Sequence, residues 1–407
     1  MIKRIIEDVL KNLANQYPVV TITGPRQSGK TTLIRNVFAN KQYVNLESPD
    51  IRQFAVNDPK GFLAQYNNAI LDEIQRAPEL LSYIQPIVDE NKEQGQFIIT
   101  GSQQFEVLNN ISQSLAGRTA LLKLLPFSIS EIKNIVDVSL TNKLIYTGFY
   151  PRIYDMNLDP HQAIGDYIVT YVERDIRQLI SIKDLNLFEK FLKLCAGRIG
   201  QLLNFQGLAN DVGVSHTTVK SWISILEASY IIFLLPPWYN NFSKRLVKSP
   251  KLYFYDVGLA SYLLGIENEK QVFRDPLRGN LFENLVVAEV LKYRFNKGKK
   301  SNLYFYRDST GLEIDLIYET GRNIYPIEIK SGATISEDFF KNLTKFIKFD
   351  RLDIPYGGAI FYGGNEIQER TDFKIYPVFS DISNFFNFEP VFTSISIISL
   401  ISCFNII

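Results

Sequence analysis

Apolar runs of strand length alternate with stretches of helical periodicity along the first third of the chain. Segments 19–23, 42–47, 68–73, 96–102 and 120–124 read as strands, and residues 31–38, the stretch through 62–64 and residues 79–89 read as helices between them. Ile2, Ile5, Ile6, Val9, Leu10 and Leu13 recur at helical spacing and predict a short amphipathic helix ahead of the first strand. Strands alternating with helices imply a parallel sheet covered on both faces. Farther on, Ile168, Tyr171, Val172 and Ile176 mark one amphipathic helix, and residues 281–291 predict a strong second one. Segments 302–307, 311–318 and 323–330 return to strand character. The pattern divides the chain into an α/β domain at 1–135, a helical linker and winged-helix-like domain at 136–265, a second α/β domain at 266–380 and an apolar tail at 381–407.

The first strand runs into Gly24-Pro25-Arg26-Gln27-Ser28-Gly29-Lys30-Thr31, followed by Thr32, which fits the phosphate-loop pattern at every fixed position. The glycines let successive backbone N–H groups curl around a pyrophosphate, and the helix behind adds its positive end. Lys30 can reach the β- and γ-phosphates of ATP, and the Thr31 hydroxyl can ligate Mg²⁺. The third strand ends in Asp72-Glu73, where Asp72 can join the Mg²⁺ shell and Glu73 can activate the attacking water. Ser102 and Gln103 end the fourth strand, where a polar side chain could sense the γ-phosphate. Arg118, just before the fifth strand, could stabilise phosphoryl charge in its own chain or in a neighbouring subunit of a homo-oligomer, and could equally be a surface arginine.

Leu71-Asp72-Glu73, Thr100-Gly101-Ser102, and Ala116-Gly117-Arg118 ahead of Leu125-Pro126-Phe127, taken with the phosphate loop, resemble an AAA-type ATPase. The combination is similar to a widespread prokaryotic family whose AAA core is fused to a C-terminal domain of unknown function. The resemblance covers residues 1 to about 380 and implies a five-stranded core with the phosphate-loop strand central. Residues 146–151 and 171–176 look like family landmarks that join the ATPase to the C-terminal part.

Residues 208–222 read as a helix-turn-helix: Ala209 is small where two helices cross, Gly213 allows the turn, and Ser215 can cap the second helix. Val214, Val219 and Trp222 are expected in the core, which leaves His216, Thr217, Lys220 and Ser221 on the open face for DNA or for a protein partner. Lys244, Arg245, Lys248 and Lys251 come next, where a winged domain would carry its wing, so this basic stretch is expected at nucleic acid or on a solvated hairpin. In the last domain, period-two alternation puts Glu328 and Lys330 on one strand face, and Asp315 on the adjacent strand can converge on them. The two acids could hold a second divalent metal, Mg²⁺ or Mn²⁺, that activates water, while the lysine orients the nucleophile or offsets phosphoryl charge. Asp315…Glu328-Ile329-Lys330 resembles the PD-(D/E)xK restriction-endonuclease-like fold, although Ile314 stands where that pattern has proline. The resemblance adds Glu283 as a further ligand.

A formal net charge of +1 excludes a globally basic nucleic-acid binder and confines any such surface to a patch. Two distant cysteines, Cys195 and Cys403, form no redox or metal motif and fit a reducing cytoplasm. Residues 390–407 carry no charge, but their serines and the lack of a basic flank favour a terminal strand or loose tail over a membrane anchor. The leading expectation is a cytoplasmic Mg²⁺-dependent ATPase whose nucleotide state controls a DNA-directed C-terminal half. The alternatives are an ATP-gated, metal-dependent nuclease and a non-enzymatic nucleotide sensor that binds DNA or protein.

Overall fold

The computed structural model describes residues 2–102, 114–173, 185–239, 249–348, 354, 357–382 and 385. Gln103, Arg174, Asp175, Ile176, Lys244, Arg245, Lys248 and the run 390–407 lie outside the described residues.

Strands β1 (Val19–Thr23), β2 (Gln42–Asn45), β3 (Ala69–Asp72), β4 (Phe97–Gly101) and β5 (Thr119–Lys123) form an all-parallel sheet in the order β2-β3-β4-β1-β5. The phosphate-loop strand is therefore interior, although β4 rather than β1 holds the middle position. Alternate residues serve opposite faces, as a doubly covered sheet requires. Val20, Ile22, Ile70 and Ile98 pack with Ile6, Leu10 and Leu33, while Val19, Leu71, Phe97 and Ile99 pack with Phe62, Leu80 and Ile84. Because all five strands run one way, Thr23, Asp72 and Gly101 end at the same edge.

Residues from Leu125 to Phe385 share one continuous apolar core that takes in Phe149, Phe191, Trp222, Phe254, Phe282, Tyr318 and Ile327. The expected helical and second α/β domains are thus packed around common hydrophobic contents. The helix Arg278–Asn296 runs through that core. It is buried on nearly every side rather than amphipathic, because its polar residues have internal partners. Asn284 exchanges two hydrogen bonds with the Phe254 backbone, at 2.7 and 3.0 Å. Lys292 bonds to Glu289 and to the Phe127 carbonyl, both at 2.8 Å, beneath the Phe149 ring.

The helices Phe205–Val212 and His216–Ala228 meet at Gly213, whose φ of 92° is left-handed. Ser215 caps the second helix by accepting from the Thr218 N–H at 3.1 Å. Beyond it lies an antiparallel pair, β6 (Ile232–Leu235) with β7 (Lys251–Phe254). The last sheet is mixed, built from β8 (Leu303–Arg307), β9 (Glu313–Thr320), β10 (Asn323–Lys330), β11 (Gly358–Tyr362), β12 (Gln368–Glu369) and β13 (Phe373–Pro377). Its order is β12-β13-β11-β10-β9-β8. Among the described residues no helix is long and apolar enough to cross a membrane.

Candidate functional site

The loop after β1 has the backbone that an anion cradle needs. Gly24 has φ 152°, and a β-carbon there would stand 2.1 Å from the Leu124 carbonyl oxygen, so only glycine fits. Gln27 at φ 60° and Gly29 at φ 88° turn the chain into the helix Lys30–Val37. Ser28 Oγ is buried without a hydrogen-bond partner among the described residues. Lys30 is buried as well, and its ammonium donates to the carbonyls of Gly24 (2.9 Å) and Pro25 (2.8 Å). Burial pushes its pKa down to about 8 against the pull of the Glu73 and Asp72 carboxylates. A buried cation whose hydrogen bonds among the described residues go to two carbonyls, beside an unsatisfied hydroxyl and left-handed backbone, is suited to receive phosphate oxygens.

Asp72 accepts from three hydroxyl groups. Its Oδ2 accepts from Thr31 Oγ1 at 2.8 Å and from Tyr43 at 2.6 Å, and its Oδ1 accepts from Thr100. The expected pairing of Thr31 with Asp72 is thus made, and together they could hold Mg²⁺. Glu73 sits at φ 59°, a strained conformation for a residue with a side chain. Gln75 and Ser102 fix its carboxylate, the latter donating at 3.0 Å. Ser102 is therefore turned onto Glu73 rather than into the cavity, where sequence reasoning expected a γ-phosphate sensor. Gln75, Tyr43 and Thr100 were not legible as site residues, because each acts through another side chain.

A cavity of about 870 Å³ opens over the loop, lined by Arg26, Gln27, Gly29, Lys30, Thr31, Thr32 and Glu73. Arg52, Arg76 and Arg152 also line it, with Ile2, Phe127, Pro151 and Met156 forming an apolar part of the wall. Arg4 clamps the loop from behind, donating to the Ser28 carbonyl (2.7 Å), the Leu125 carbonyl (2.7 Å) and Glu131 (3.0 Å). Arg4 and Arg152 come from outside the alternating unit, so no local pattern announced them. Arg118 is a correction. It precedes β5 at the opposite end of the sheet, where its carbonyl meets the Val19 N–H, and it pairs with Asp89 at 2.6 Å. The five residues of β1, roughly 17 Å, separate that end from the loop, so Arg118 cannot serve its own chain's site, which leaves the neighbouring-subunit and surface alternatives.

The comparisons with known proteins fit this geometry. Residues 16–133 match the family model described as an AAA domain. Residues 138–270 and 278–380 match two described as domains of unknown function, DUF8612 and DUF4143. An uncharacterized protein of Mycobacterium tuberculosis is 31% identical over 357 residues, covering 86% of this chain and 78% of that protein. The chain belongs to the same family. An uncharacterized protein of Methanocaldococcus jannaschii is 24% identical over 407 residues, covering 84% of this chain and 83% of its own length. Among solved structures, a Walker-type ATPase of Pyrococcus abyssi aligns with 63% of this chain and 94% of its own at 13% identity, with a TM-score of 0.43. An AMPPCP-bound DnaA of Aquifex aeolicus aligns with 55% and 86% at 17% identity, with a TM-score of 0.30. The first third of this family member is an AAA-type, phosphate-loop domain.

The C-terminal part of the chain carries the second cluster. Asp315, Glu328 and Lys330 do converge: Lys330 contacts Glu328 and lies 3.6 Å from Asp315, whose Oδ2 accepts from the Ile329 N–H at 2.8 Å. Glu283 joins from the long helix, but through a lysine whose sequence context pointed elsewhere. Lys251, expected on a basic hairpin, is buried and bridges Glu283 (3.1 Å) and Glu313 (2.7 Å), while Tyr253 also donates to Glu283. Burial, and after it the charge of Asp315, raises the pKa of both Glu283 and Glu328. Among the described residues no group of three or more His, Cys, Asp and Glu side chains is arranged to hold a metal ion. In this structure the residues expected at a second metal centre are ion-paired with one another. His216, Thr217, Lys220 and Ser221 stay exposed on the second helix of the pair, with Val219 and Trp222 buried beneath them.

Proposed function

We propose that this protein binds ATP with Mg²⁺ and hydrolyses it. The observation that carries the reading is the meeting of Lys30, Thr31 and Glu73 at one cavity, with Asp72 bonded to Thr31 at 2.8 Å behind them. Lys30, Thr32 and the loop N–H groups would hold the phosphates. Thr31 and Asp72 would hold Mg²⁺, which when bound offsets the phosphate charge. Glu73, oriented by Gln75 and Ser102, accepts the proton of the attacking water. Arg26, Arg52, Arg76 and Arg152 add positive charge around the phosphates. Phosphate release and nucleotide binding test this directly. Lys30→Ala loses binding, whereas Glu73→Gln binds nucleotide but hydrolyses it about a hundred-fold more slowly. Wild-type turnover in both variants would sink the proposal.

A second reading concerns the C-terminal half, and its supporting observation is Glu328 Oε1, buried without a hydrogen-bond partner among the described residues. Metal-dependent cleavage of nucleic acid there requires Lys251 and Lys330 to release their carboxylates to the ion. The exposed face His216–Thr217–Lys220 is then the DNA contact, with nucleotide state as its control. Cleavage assayed with Mg²⁺ or Mn²⁺, with and without ATP, decides: no divalent-dependent activity, or activity retained in Asp315→Ala, removes this reading.

A further inference from the structure

Tyr230 lies outside the nucleotide cavity, yet it touches the strand that feeds the phosphate loop. It stands two residues beyond the helix His216–Ala228 and has φ 57°, a left-handed conformation that a β-carbon disfavours. The local hydrogen bonds explain why. The Tyr230 N–H donates to the Glu227 carbonyl at 3.1 Å and the Ile231 N–H to the Leu226 carbonyl at 2.9 Å, the paired bonds of a Schellman helix end. Glycine ordinarily fills this position because it adopts the conformation without strain. A fully buried tyrosine in its place indicates that the side chain has a use.

That use is visible at the other end of the ring. The Tyr230 hydroxyl meets Thr23 Oγ1 at 2.7 Å, and both groups are buried. Tyr255 packs edge-on against the ring at 5.6 Å, and Lys123 lies 5.9 Å over it. Thr23 is the last residue of β1, and its carbonyl accepts from the Leu124 N–H at 2.8 Å. The next residue, Gly24, supplies the carbonyl that holds Lys30. A short chain of bonds thus joins the exit of the helix pair to the ammonium at the nucleotide site.

We propose that Tyr230 is a positioning residue for the phosphate loop, fixing through its hydroxyl the end of β1 and with it the Gly24 carbonyl and Lys30. This rests on the nucleotide-binding reading above. The coupling is reciprocal: nucleotide in the loop tightens the turn that leads from the helix pair into β6.

The test measures dissociation constants for a fluorescent ATP analogue with Mg²⁺, thermal unfolding and amide exchange on the full chain. Tyr230→Phe and Thr23→Val each weaken nucleotide binding roughly 3- to 10-fold, the equilibrium effect of one net hydrogen bond. The double variant is no weaker than either single one, and Thr23→Ser recovers most of what Thr23→Val loses. Nucleotide slows exchange across 228–235 in the wild type but not in Tyr230→Phe. Additive losses overturn the proposal, as does a lowered melting temperature with unchanged affinity, which is a structural role alone. A Lys30→Ala variant that binds as the wild type does instead overturns the nucleotide-site reading underneath.

Discussion

The nucleotide cavity and the C-terminal cluster are assembled from the same residue types, acids on strands with lysine close by, and they end in opposite electrostatic states. At the cavity the acids are satisfied by neutral donors: Thr31, Tyr43 and Thr100 on Asp72, Gln75 and Ser102 on Glu73. Lys30 is left with carbonyls as its hydrogen-bond acceptors. At the cluster the lysines are bound to the acids themselves, Lys251 to Glu283 and Glu313, Lys330 to Glu328 with Asp315 close by. The first arrangement keeps a cation ready for an anion from outside. The second uses its cations internally and joins four elements, β7, β9, β10 and the helix Arg278–Asn296. Convergence of charged residues is therefore a weaker sign of a ligand site than the way their hydrogen bonds are already distributed.

The largest expected effect falls on the second region. Lys251→Met leaves Glu283 and Glu313 buried or half-buried without their shared cation, and breaking such a pair costs about 3 kcal/mol. Denaturant unfolding measures it, and nucleotide affinity should stay within about two-fold; a joint collapse of both would show that the regions are one unit. At the cavity, the effects are about ten-fold. Lys30 must carry its proton to hold phosphate, and in the free protein its pKa is pushed down to about 8. Bound phosphates raise that pKa, so affinity falls about ten-fold per pH unit above 8. A binding series from pH 7 to pH 10 with no such slope would contradict the assignment of Lys30. Ser102→Ala slows hydrolysis about ten-fold at unchanged nucleotide affinity if the serine orients Glu73. A change in affinity instead would return Ser102 to the γ-phosphate.

Much of the first region could be read from the sequence because its signals are local. Each of the five strands, the loop and the Asp72-Glu73 strand end is specified by a few neighbouring residues, and the structure places the loop and Asp72-Glu73 at one edge of one sheet. Arg118 was left open between its own site, a neighbouring subunit and the surface because a strand pattern does not say which end of the sheet a flanking residue reaches, and the structure removes only the first. Arg4, Arg152 and Tyr230 act across 24 to 207 residues of sequence or through a cavity that only the fold creates. In the second region the alternation on β10 put Glu328 and Lys330 together with Asp315, and the contacts agree. Lys251 defeated the same reasoning, because a basic stretch looks alike whether its last lysine faces solvent or ends among buried carboxylates.

The smallest effect separates a metal centre from an ion-paired core. Glu328 is 1% exposed, one of its oxygens has no partner, and burial followed by the charge of Asp315 holds its pKa above the ordinary carboxylate range. A raised folded-state pKa means that the acid carries its proton more readily folded than unfolded. Its contribution to stability is thus fully present below the unfolded value and is lost as pH rises through the folded one. In EDTA, Glu328→Gln should match the wild type at pH 5, where the native acid is protonated, and exceed it by about 1 kcal/mol at pH 9, where the buried charge must form. Urea unfolding at the two pH values measures the difference. Addition of Mn²⁺ at pH 9 gives the comparison its second arm. An ion-paired core leaves the wild type where EDTA had it, whereas a metal site restores the wild type and passes over the glutamine variant. A wild type already more stable than Glu328→Gln at pH 9 without metal would mean that Lys330 compensates the charge in full, and the cluster would then use both of its lysines internally.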